Sequence, residues 1–141
     1  MSNQPIAFSR LAKVQNRLNK ELGRRLSLHA EITEAQTLLM IEVQNNEGCS
    51  QKQLSAALKL DTSALTGILN RISHMVRRYT NKDDRRVYVL HTTAEGEAAL
   101  EIATPILREL DDSLLDRFGE EKMEEFYEVL AYVSSWSATD G

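Results

Sequence analysis

A mainly α-helical fold with a small two-stranded β-wing is predicted by three features of the 141-residue sequence. Two short helical segments, each opened by its own capping signal, lie within residues 50–73. A basic segment rich in β-branched and aromatic residues follows at once and reads as a hairpin. Longer amphipathic stretches flank this middle on both sides.

The elements follow in chain order. Residues 6–28 read as an amphipathic helix, because Phe8, Leu11, Val14 or Gln15, Leu18, Leu22 and Leu26 recur at steps of three and four. Thr33 and Gln36 have capping-box spacing, a hydroxyl first and an amide three residues later. A second helix should run from there to about Gln44, carrying Leu38, Leu39, Ile41 and Val43 so that much of it is buried, and Asn45-Asn46-Glu47-Gly48 should end it. Ser50 and Gln53 repeat the capping-box spacing before a short third helix through Leu54 to Leu58. Lys59-Leu60-Asp61-Thr62-Ser63 supplies further caps, and a fourth helix should extend from about Ser63 to Ile72 or Ser73 with Leu65, Ile68, Leu69 and Ile72 inward.

The period then changes. Residues 76–80 read as a strand, Asn81-Lys82-Asp83-Asp84 as a turn, and residues 86–91 as the returning strand. Thr92-Thr93-Ala94-Glu95 should open a long fifth helix, lined by Ala99, Ile102, Ala103, Ile106, Leu110 and Leu114 and kinked at Pro105. Phe118-Gly119 breaks it. A last helix should run over residues 120–136 with Met123, Phe126, Tyr127, Leu130 and Val133 on its apolar side. The expectation is one domain over residues 1–141.

Composition narrows the function classes. The longest apolar runs are a few residues, as in Leu38-Leu39-Met40-Ile41, far short of the roughly 18 needed for a membrane span. Met1-Ser2-Asn3-Gln4-Pro5 lacks the charged start and apolar block of a signal peptide. With a lone cysteine, Cys49, no internal disulfide forms, and a reducing cytoplasm is expected. His29, His74 and His91 lack metal-ligand spacing with Cys49 or the carboxylates. No nucleophile-and-base set and no Gly-rich phosphate loop occurs. No catalytic residue, metal or cofactor is therefore expected, and the chain does not read as an enzyme.

Charge is uneven. The net charge is −4. Residues 50–92 nevertheless hold eight basic groups against three acidic ones, a net of +5, whereas residues 93–141 hold three against thirteen, a net of −10. A positive middle suits phosphate. Two short helices joined by a tight turn and followed by a basic hairpin describe a winged helix-turn-helix. In that arrangement the second short helix can enter a major groove about 12 Å wide. Its side not needed for the core is Thr62, Ser63, Thr66, Gly67, Asn70 and Arg71, and no acid stands between Asp61 and Asp83. Small residues permit close approach, and hydroxyls and amides can bond base edges. Lys52, Arg71, Arg77, Arg78 and Lys82 are candidates to neutralise phosphate, with Gln51 beside Lys52 at the start of the third helix.

Residues 33–96 resemble the MarR family of bacterial transcriptional regulators. The likeness is carried by Ile32-Thr33-Glu34-Ala35-Gln36 through Leu39, by Gln53-Leu54-Ser55 through Leu58, and by Leu65-Thr66 through Asn70-Arg71-Ile72. It is most specific in Asp84-Arg85-Arg86-Val87-Tyr88-Val89-Leu90-His91-Thr92-Thr93-Ala94-Glu95-Gly96, which looks like the family's wing and wing-to-helix junction. The resemblance implies a winged helix-turn-helix lobe over residues 33–92, with dimerisation helices over residues 6–30 and 93–137. It also implies a homodimer that binds a palindromic operator on double-stranded DNA, with a small aromatic or phenolic ligand as a common effector. Carried over to this sequence, Arg86 would be the wing arginine entering the minor groove, with Asp84 orienting it and Arg85 beside it. The runner-up is a dimeric protein-interaction module of the same fold with weak or no DNA binding, suggested by a shortened helix-to-wing turn and the acid-rich tail. One departure stands out. Only Ser73-His74 separate Ile72 from Met75-Val76, about two residues fewer than the family's usual turn, and the usual glycine is missing. An early helix end or a strained turn is expected there.

Overall fold

The computed structural model describes residues 3–138. Its helices are α1 (Ala7–Ala30), α2 (Glu34–Asn45), α3 (Gln51–Leu58), α4 (Thr62–Arg71), α5 (Ala94–Phe118) and α6 (Glu120–Ser134). Its strands are β1 (Cys49–Ser50), β2 (Val76–Thr80) and β3 (Tyr88–Thr92), antiparallel in the order β1-β3-β2. The chain divides into two compact units, one running to Ile106 and one starting at Leu107, with the division inside α5.

Local signals set the helix starts. Thr33 Oγ accepts from the Gln36 amide at 3.1 Å, and Gln36 Oε1 accepts from the Thr33 amide at 3.1 Å, so both halves of the box form. Ser50 and Gln53 do the same before α3, at 3.1 and 2.9 Å. The core of the first unit gathers Leu26, Leu39, Met40, Val43, Leu54, Leu65, Leu69, Ile72, Leu90 and Leu100, all nearly or fully out of solvent. Thr37, the one buried polar residue among those described, donates its hydroxyl to the Thr33 carbonyl at 2.7 Å. That bond avoids the cost of an unpaired buried hydroxyl.

Three elements differ from expectation. The sheet has a third strand, because Cys49 and Ser50 pair with Leu90 and Val89 of β3. Two residues cannot display alternation, so β1 has no sequence signature. The returning strand begins at Tyr88 rather than Arg86. Val87 instead closes the tip, its amide donating to the Asp84 carbonyl at 3.0 Å and its carbonyl accepting from the Asn81 amide at 2.9 Å. Finally, α6 stops at Ser134, and the Trp136 amide turns back to the Val133 carbonyl at 3.2 Å.

In the second unit, Gly119 (φ 86°) supplies the left-handed break between α5 and α6. Met123 is buried, while Phe126, Tyr127, Leu130 and Val133 stay exposed on α6. On α1, in the first unit, Phe8 is 80% exposed and Leu11 and Val14 are also uncovered. No helix among the described residues is long and apolar enough to cross a membrane.

Candidate nucleic-acid interface

The geometry starts at the turn between α3 and α4. Lys59 ends α3 in the left-handed region (φ 56°), and the Leu60 amide reaches the Ser55 carbonyl at 3.1 Å. Asp61 caps α4. Its carboxylate accepts from the Ala64 amide at 2.7 Å and from the Ser63 hydroxyl at 2.9 Å, and these bonds, the amide first, hold its carboxyl below the usual range. Leu65 and Leu69 anchor α4 in the core. Thr62, Ser63, Gly67, Asn70 and Arg71 are exposed, and Thr66 is half-buried. Ser63 thus faces outward with its hydroxyl proton already given to Asp61.

Gly67 sits in the middle of this face with nothing within 4 Å of where a Cβ would stand. Nothing in the protein's own packing requires glycine there. On α3, Lys52 is exposed and Gln51 half-buried.

The short turn after α4 is unstrained. Ile72 has φ −116°, and Glu31 and Lys59 are the only non-glycine residues with positive φ among those described. The Met75 and Val76 amides both donate to the Ile72 carbonyl, at 2.8 and 2.9 Å. The Thr93 hydroxyl closes on the His74 carbonyl at 2.7 Å, and the Thr93 amide on the Met75 carbonyl at 2.9 Å. Of the two expected outcomes the early helix end is found, at Arg71, and strain is absent because the turn is built without a left-handed residue. The glycine that matters is Gly96 in the first turn of α5, where a Cβ would lie 2.3 Å from the Met75 carbonyl oxygen.

The wing separates its basic residues. Arg77 lies opposite His91 and Arg78 opposite Leu90. Opposed residues share a sheet face and successive residues alternate. Arg78 therefore lies on the inward face with buried Val76 and Leu90, and Arg77 on the other with Tyr79 and His91, whose rings meet edge-on at 5.5 Å. Arg78 is half-buried, and its Nη2 donates to Asn70 Oδ1 on α4 at 3.3 Å. Lys82 and Arg85 are exposed at the tip. Arg86 donates from Nε and Nη2 to the two Asp84 oxygens at 3.0 and 3.2 Å, and its amide donates to Asp84 Oδ1 at 3.1 Å. These bonds, the guanidinium's first, hold the Asp84 carboxyl below the usual range. The Arg86 side chain is nonetheless 90% exposed. It is aimed yet free to meet a partner.

A model of the MarR family matches residues 32–88. The HTH-type transcriptional regulator BilQ of Clostridium symbiosum is 27% identical over 93 residues, covering 64% of this chain. That stretch is 65% of BilQ, so this chain spans just under two thirds of that relative's length. Among solved structures, NadR in complex with 4-hydroxyphenylacetate superposes with a TM-score of 0.82 at 25% identity, over 97% of this chain and 98% of that one. The S. aureus MepR–DNA complex gives the same TM-score at 18% identity, over 94% and 98%, a likeness of fold. The match to the MarR family model is thus confined to the middle of the chain, and over nearly its whole length the chain is similar in fold to solved MarR-like regulators.

Every site residue expected from the sequence falls inside the matched MarR segment. Sequence reasoning missed three features of it. Ala64 is exposed at helical spacing from Gly67 and Arg71, a signal present in the sequence. Glu47 reads in the sequence only as part of a helix end. Its carboxylate accepts from the Thr92 amide at 3.2 Å, from the Thr92 hydroxyl, and pairs with His91 Nδ1 at 3.0 Å, tying the α2–β1 loop to the wing strand. The Arg78–Asn70 bond joins wing to helix, and no local pattern could reveal it. Cys49 is buried. That burial, reinforced by Glu42 and Glu47, pushes its thiol above the ordinary range, against a reactive thiolate.

Proposed function

We propose that this chain is a DNA-binding transcriptional regulator, a repressor that binds a palindromic operator as a homodimer in the cytoplasm and is released by a small aromatic or phenolic ligand. The observation that carries the reading is the outer face of α4. Thr62, Ser63, Gly67, Asn70 and Arg71 stand exposed, with open space over Gly67 and no acid until Asp83. Beside it, the wing offers Arg86 already fixed by Asp84. A groove-reading helix needs a small, polar, cationic face, and a narrow minor groove draws arginine.

In this reading Thr62, Ser63, Thr66, Gly67, Asn70 and Arg71 meet the major groove. Arg77, Lys82, Arg85 and Arg86 serve the wing, with Asp84 orienting Arg86, and Gln51 and Lys52 contact phosphate. The uncovered apolar groups on α1 and α6 support assembly with a second copy. Solved complexes of MepR with DNA and of NadR with 4-hydroxyphenylacetate support the partner classes. No catalytic residue and no cofactor is assigned.

Selection from a random duplex pool tests the proposal. Enrichment of one sequence with inverted half-sites is expected. A chain retained by no duplex even at low salt would be the interaction module instead.

A further inference from the structure

Charge alone groups Arg78 with the phosphate-neutralising residues, but its position is different. It stands on the inward face of β2, half-buried, opposite Leu90, and its guanidinium reaches across to Asn70 on α4. A guanidinium has donors only, so the Asn70 atom facing it at 3.3 Å must be the carbonyl oxygen. The amide orientation of Asn70 is therefore set by chemistry. An asparagine free to choose pairs with adenine, accepting from N6 with its oxygen while donating to N7. Here one of that oxygen's two lone pairs serves Arg78, and the cation beside it disfavours a second donor such as adenine N6–H. The Asn70 NH2 group, on an exposed residue, and the guanidinium's other N–H groups then offer donors from one bonded pair. Of the four bases, guanine alone presents two adjacent acceptors, N7 and O6, in the major groove.

We propose that Arg78 is a positioning residue that holds Asn70 as a donor, so that the pair selects guanine over adenine at the base pair Asn70 meets. The inference rests on the operator-binding reading and adds to it the identity of one base and the residue that sets it. The coupling runs from wing to recognition helix. A residue on a strand thereby decides what a residue on α4 reads. The same bond fixes the wing's root against the helix, so the two reading elements hold their spacing before DNA arrives.

Sequence selection with four proteins tests this: the wild type, Asn70→Ala, Arg78→Ala and Arg78→Met. The methionine keeps an apolar stem over the Leu90 face and guards against a folding defect in the alanine variant. The wild type should enrich guanine at one position of each half-site, and Asn70→Ala should erase preference at that position. Both Arg78 variants should move the same position toward adenine, with the guanine-to-adenine ratio falling about tenfold, the scale of one bidentate base contact. If the Arg78 variants bind all sequences more weakly but keep the guanine preference, Arg78 neutralises phosphate and the inference is overturned while operator binding stands. If the wild type enriches no sequence, the operator reading fails and takes the inference with it.

Discussion

Replacing Gly67 with alanine should make the protein more stable and its DNA binding weaker. Glycine in a helix interior is about 1 kcal/mol less favourable than alanine, because its unfolded backbone has more freedom to lose. At Gly67 nothing offsets that cost within the chain, since a methyl group would meet no atom within 4 Å. The full propensity gain should therefore appear as stability. For a chain of this size 1 kcal/mol corresponds to roughly 3 °C in Tm. Toward DNA the sign reverses. If α4 lies in the major groove with this face inward, the methyl occupies space that a base edge or sugar would take. Overpacking of that kind costs about 1–3 kcal/mol, which is roughly five- to 150-fold in affinity. Two measurements suffice, a thermal melt and an operator titration at fixed salt. A variant that melts higher and binds as tightly as the wild type would refute the close approach and with it the docking of α4 by this face.

The same geometry sets further outcomes. Asp84→Ala should weaken operator binding although it removes a negative charge, and Arg86→Ala should lose more affinity than Lys82→Ala. Titration of the single variants against one duplex decides both. Because the Asp84 carboxyl is held low by Arg86, the pair persists above the ordinary carboxylate range and is lost only as pH falls through that lowered value, so the Asp84→Ala deficit should be constant between about pH 6 and 8. Gly96→Ala should destabilise by about 2 kcal/mol, since its methyl would meet backbone at Met75 that the neighbouring Thr93 bonds hold in place; an unchanged Tm would show that the turn gives way freely. Arg71→Ala should weaken all duplexes alike and reduce the salt-dependence slope by about one for each phosphate it no longer neutralises, and a change in preferred sequence would instead make Arg71 a base reader. Sedimentation at micromolar protein should give a dimer, and a clean 16.0 kDa species would remove the half-site logic.

Much of the framework is legible in the sequence because it is local. Capping boxes at Thr33 and Ser50 act over three residues, and the sequence displays both partners. The Asp84–Arg86 pair spans two residues and is equally readable. What the sequence hides depends on distance or on backbone alone. Glu47 finds His91 and Thr92 some forty residues away. The turn after α4 lacks the family's usual glycine, but successive carbonyl bonds to Ile72 replace the left-handed residue, and the close approach that does demand glycine lies at Gly96. Val87, β-branched and by propensity a strand residue, is drawn into the tip by two backbone bonds, which outweigh that propensity.

The charge tally illustrates the same limit from the functional side. A net charge of +5 over residues 50–92 describes an electrostatic tendency, not a surface. Arg77 and Arg78 are neighbours in sequence, and a charge count treats them alike. The strand's period of two separates them. Arg77 goes to the outer face beside Tyr79 and His91, where it remains a general cation. Arg78 goes to the inner face, where its stem lies with Leu90 and its head meets Asn70. One residue of register decides which arginine faces α4. Sliding β2 by one position would exchange the two placements without changing the composition. Buried Val76 and its pairing with Thr92 hold that register, so the apolar end of the strand determines which arginine can reach α4.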